Sequence, residues 1–184
     1  GISEKDAVTW VTLVGVMSTS GRPLFTMVGF ALRLIPERGG LRVAFGPAFL
    51  LMALTGTIST SLLLLVIQGP FLIPVSLILP LAFGGTLAIV PVLIYDTFGS
   101  KHYGTNFGIL YTGSAIGNVV FGQIIGGIYD HYAGGSTQCH GKSCFSISFL
   151  ILSVCCWVGT GFCAFFWVST FRRARKVAAS SSIN

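Results

Sequence analysis

Residues 7–32 read AVTWVTLVGVMSTSGRPLFTMVGFAL, a run of 26 residues in which Arg22 is the only charged side chain. About 20 residues at ~1.5 Å rise cross a ~30 Å hydrocarbon core, so this stretch is long enough to span a bilayer. A guanidinium within such a span costs on the order of 3 kcal/mol even on the lenient insertion scale. It is kept where it faces water and binds a negative charge. The run therefore predicts a membrane helix with an anion-binding arginine, and with it a solute path.

The rest of the chain agrees. Charged residues make up 9% of it, against roughly 25% in soluble domains. The 53 residues between Arg42 and Asp96 carry no charge, nor do the 28 of 102–129 or the 29 of 143–171. A soluble core has no use for that much uninterrupted apolar sequence. The net charge of +6 would suggest nucleic acid in a soluble protein, but the basic residues flank the apolar runs, and membrane topology accounts for them. No zinc spacing, nucleophile elbow, phosphate loop or carboxylate dyad is present, so the sequence predicts neither an enzyme nor a metal or cofactor site.

Five spans follow, at about 7–32, 43–67, 71–95, 103–128 and 145–171, with a basic, Ser-rich tail over 172–184. The fold class expected is all-α transmembrane. Arg33, Arg38, Arg42, Lys101, Arg172, Arg173, Arg175 and Lys176 gather on one side and Lys5 and Lys142 on the other. The Lys/Arg excess marks the cytoplasmic face, which places the N-terminus outside and the C-terminus inside. The expected location is multi-pass, in a plasma or organelle membrane. The missing initiator Met points to a fragment or a processed chain.

Pro23, Pro47, Pro74, Pro80 and Pro91 fall within these spans. Each removes a helical hydrogen bond, and transporters use such breaks as sites and hinges. Gating or coupling is expected of Pro23, and of Asp96 with Lys101 across a short polar loop at 96–101, where Asp96 could instead cap the fourth helix. In the fourth span Gly104, Gly108, Gly113, Gly117, Gly122 and Gly126 alternate spacings of four and five. At about 100° per residue, Gly113 and Gly117 lie opposite the other four. Small residues let helices approach closely, so both faces are expected to pack. Asn118 adds a polar group at membrane depth as a substrate contact or interhelix bond. Ser18 could add a hydroxyl beside Arg22. Cys139 and Cys144 lie in the outer loop and are candidates for a disulfide.

Two segments then carry a resemblance. Ser20-Gly21-Arg22-Pro23 within a span resembles the eighth helix of major facilitator superfamily carboxylate transporters, closest to the oxalate/formate antiporter and monocarboxylate branches. Phe98-Gly99-Ser100-Lys101-His102-Tyr103-Gly104 and the following Thr105-Asn106-Phe107-Gly108 are similar to the junction of helices ten and eleven there and in the nodulin-like branch. The loop CHGKSCF at 139–145 is similar to the nodulin-like loop before helix twelve. The resemblance covers nearly the whole chain, as helices eight to twelve, and implies the C-terminal part of a helix bundle whose N-terminal helices complete it.

It further implies that Arg22 contacts a substrate carboxylate. The position one turn earlier, an aspartate in the monocarboxylate branch, is Ser18 here, and the oxalate carriers' lysine in helix eleven has no counterpart in the fourth span. The function expected is secondary transport of a small organic anion, a monocarboxylate, by alternating access, with a proton as candidate coupling ion. The alternatives are a same-fold carrier of another solute and a truncated, non-transporting membrane subunit. The expected partners are membrane lipid, the solute and the N-terminal helices, with no nucleic acid.

Overall fold

In the computed structural model, residues 4–34, 46–67, 72–133 and 143–181 are described. They form four helices: α1 (Glu4–Arg33), α2 (Pro47–Ile67), α3 (Leu72–Ala133) and α4 (Ser143–Ser181). No strand occurs among the described residues. In hydrocarbon a backbone amide has only its own chain to bond to, and helices meet that demand within one segment. The hydroxyls follow the same logic. Thr12, Thr26, Thr86 and Thr112 each donate to the carbonyl four residues earlier, at 2.8–3.0 Å.

The segments Pro47–Ile67, Ile73–Tyr132 and Phe145–Arg173 are long and apolar enough to cross a membrane. The chain has an all-α transmembrane fold. The middle segment holds 60 residues, about 90 Å if straight, twice the ~40–45 Å of a whole bilayer. It is not straight. Gly99, with φ 71° and ψ 175°, breaks it into a first arm (72–98) and a second arm (100–133). Leu93 and Leu110 would stand about 25 Å apart on a straight helix, yet they line one cavity. The chain turns back at Gly99.

Two expectations change. Residues 96–101 are not a loop: helix runs up to Gly99 from both sides, and one residue makes the break. Pro47 does not interrupt a span but opens α2, where its missing amide would have been unbonded anyway. Residues 43–45, placed in the second span from sequence, lie outside the described residues, as does Cys139 with the side chain of Cys144.

The first arm is the hub. Its Ala82 and Ile89 form the core with Leu50 and Leu54 of α2, and Phe25, Val28 and Leu32 of α1 close over it. On the far side of α2 lies α4, joined through hydroxyls rather than apolar bulk. Ser59 Oγ and Thr160 Oγ1 are 3.2 Å apart, and Ser153 donates to the Ser59 carbonyl at 2.9 Å. All three residues are buried. Phe49 and Trp167 extend this contact, with ring centroids 5.6 Å apart.

Candidate functional site

The tightest helix crossing lies beside Arg22. A Cβ built on Gly84 would strike the Ser18 carbonyl, one on Gly21 the Leu81 carbonyl, and one on Gly85 the Phe25 ring. Between α1 and the first arm the backbones therefore touch. The contact face of α1 runs through Ser18, Gly21, Phe25, Val28 and Gly29, of which Gly21 and Gly29 are buried. Arg22 follows Gly21 by one residue, about 100° round the helix. It sits on the shoulder of the crossing and is exposed. Among the described residues no hydrogen bond or ion pair engages its guanidinium.

One turn beyond, Thr26, Gly29 and Phe30 of α1 and Ile89 and Val92 of the first arm line a cleft of about 130 Å³. Arg22 shares a helix face with Thr26 and Phe30, one turn before this cleft, and is not among its lining residues. Pro23 lies inside α1 without ending it.

The remaining candidates are spread out. Asp96 and Lys101 are both exposed and flank Gly99. Asn118 is exposed on the second arm, and no hydrogen bond among the described residues joins it to Arg22. Gly104, Gly108, Gly113, Gly117, Gly122 and Gly126 have nothing within 4 Å of a built Cβ. Within this chain both glycine faces are open. The close approach occurs instead at Gly21, Gly84 and Gly85, whose signal in the sequence is a Gly-Gly pair in mid-span opposite Ser18-x-x-Gly21.

A further feature spans the kink. Tyr95 and Tyr103 lie edge to face at 6.3 Å, Tyr103 and Phe107 stack at 5.5 Å, and Phe107 and Tyr111 follow at 4.4 Å. The Tyr95–Tyr103 contact bridges the turn at Gly99, and the other two lie within the second arm.

A bundle of long apolar helices with one cation on the shoulder of its closest crossing defines an all-helical integral membrane protein. The chain matches the family described as NFD4, C-terminal domain, over residues 5–178. It belongs to that family.

The chain is similar to a protein named probable transporter mch1 from Emericella nidulans, with 32% identity over 97 residues, 50% of this chain and 16% of that protein. A probable transporter mch1 from Aspergillus fumigatus is 30% identical over 101 residues, 52% of this chain and 16% of its own length. A probable transporter MCH1 from Wickerhamomyces anomalus is 29% identical over 69 residues, 38% of this chain and 14% of that protein. The chain thus spans well under a quarter of the length of these relatives. No solved structure matches it.

Proposed function

We propose that the chain supplies C-terminal helices of a secondary carrier for a small organic anion, a monocarboxylate, working by alternating access. Arg22 carries this reading. It is a cation inside an otherwise uncharged run, exposed and without an ion pair among the described residues, on the shoulder of a close helix crossing. A guanidinium fork fits a carboxylate through two parallel hydrogen bonds, which is geometry a point charge lacks. The names of the fungal relatives support a transport role.

The relatives are several times longer than the matched segments, and a carrier places its site between two helical halves. We therefore assign the facing wall of the site to N-terminal helices. In this reading the chain crosses the membrane five times, with its N-terminus outside and its C-terminus in the cytoplasm. Ser18 and Asn118 contribute polar contacts to the solute. Pro23, Asp96 and Lys101 act in gating, and a proton is the candidate coupling ion.

Arg22→Ala in the intact gene product, reconstituted in proteoliposomes, should lower uptake of a labelled monocarboxylate by roughly 10- to 100-fold, the equivalent of one lost charge-assisted contact. Protein amount and orientation should stay the same. Unchanged uptake removes Arg22 from the site. A panel of labelled acids, amino acids and metal chelates separates the monocarboxylate reading from a carrier of another solute.

A further inference from the structure

The outer face of α4 carries two adjoining surface clefts that meet at Phe165. The first, of about 440 Å³, is lined by Val158, Gly161, Phe162 and Phe165. The second, of about 400 Å³, is lined by Phe165, Val168, Ser169, Arg172, Arg173 and Lys176. From 158 to 176 each lining residue has another three or four positions along (158, 161/162, 165, 168/169, 172/173, 176), so the two clefts form one stripe along a single helix face.

Its two ends differ in chemistry. The first cleft has only hydrocarbon and the bare Gly161, and a Cβ at that glycine would meet nothing within 4 Å. Phe162 and Phe165 are 70% and 75% exposed, so they stand as walls beside this notch. The second cleft ends in three cations, none of them in an ion pair among the described residues. Arg175 is different. It leaves the stripe, and its guanidinium lies 5.8 Å from the Phe171 ring centroid.

We infer that this stripe is a binding site for one anionic phospholipid, with the phosphodiester held by Arg172, Arg173 and Lys176 and an acyl chain lying along the Gly161 notch. Length supports the fit. From Val158 to Arg172 is about 21 Å of helix, close to one leaflet of a ~40–45 Å bilayer. Sign supports it too, since basic side chains next to a membrane span attract anionic headgroups. The Gly161 notch distinguishes a seated lipid from diffuse attraction, because it binds the chain as well as the charge.

Native mass spectrometry of the intact protein released from nanodiscs of mixed phosphatidylglycerol and phosphatidylcholine tests this. The wild-type protein should retain one phosphatidylglycerol. The triple variant Arg172→Gln, Arg173→Gln, Lys176→Gln should lower that retention by at least about tenfold, since each surface cation contributes to anionic-lipid attraction. Gly161→Leu should lower retention with all charges kept, and Arg175→Gln should leave it unchanged. Circular dichroism and size-exclusion elution report folding, and Gly161→Leu decides the matter if the triple variant fails to fold. Equal retention in wild type and Gly161→Leu overturns the proposal. So does displacement of the lipid by water-soluble glycerol phosphate, or a second copy of the chain on this face in place of lipid.

Discussion

Ser18 and Gly84 meet backbone to backbone, and Gly21 meets Leu81 in the same way. Where two helices are this close, a single added side chain must move a whole backbone. Gly84→Val should therefore destabilise the protein by about 1–3 kcal/mol, the range for overpacking a well-filled contact. Gly108→Ala, placed in open space, should change stability by less than about 0.5 kcal/mol in this chain. Denaturant unfolding in detergent micelles, followed by circular dichroism, measures both, and equal effects would contradict the crossing described. Regular spacing made the second-arm glycines visible in the sequence, but periodicity reports only that residues share a face and says nothing of what covers it. Gly84 and Gly85 have no periodic partners, and their role emerges only once α1 lies across them. Arg22 was legible because a charge in an apolar run is costly wherever it points. Its position on the shoulder of the crossing depends on Gly21 and needed the structure.

At the scale of the elements, Gly99 decides the shape of α3. With φ 71° and ψ 175° it occupies backbone space that is essentially reserved for glycine. Gly99→Ala should cost on the order of 1–3 kcal/mol or force the two arms to a different angle. Spin labels at Leu93→Cys and Leu110→Cys, which line one cavity with Phe162 and Phe166, report that angle. The alanine variant should broaden or lengthen the distance distribution, and an unchanged distribution with unchanged stability would show that the turn does not depend on Gly99. The helices themselves were readable from uninterrupted apolar sequence, and the break near residue 99 from its polar residues. Its sharpness was not readable, since a six-residue loop and a one-residue kink have the same composition. Pro47 misled for a related reason. Proline breaks a helix interior but is welcome at a first turn, and the sequence alone does not say where the turn begins.

For the molecule as a whole, α1 is the helix whose placement matters most. Its central Ser-Thr-Ser-Gly-Arg-Pro lowers its hydropathy, and it is not among the three segments apolar enough by composition to cross a membrane. It nevertheless makes backbone contact with the first arm at Gly21 and Gly84, in the middle of an arm that belongs to a segment apolar enough to cross a membrane. A helix lying on the membrane surface could not reach that contact while the first arm spans the bilayer. This supports the proposal that α1, α2, both arms of α3 and α4 all cross, which would give five passes with the ends on opposite sides. In that proposal the Lys/Arg asymmetry puts Lys176 on the cytoplasmic side. Cysteines introduced singly at Val8 and Lys176, in a background with native cysteines replaced by serine, test this with a membrane-impermeant maleimide. Val8→Cys should react in intact cells and Lys176→Cys only after permeabilisation. Labelling of both from one side would mean an even number of crossings. It would take α1 out of the membrane and remove the reason for placing Arg22 beside a solute path.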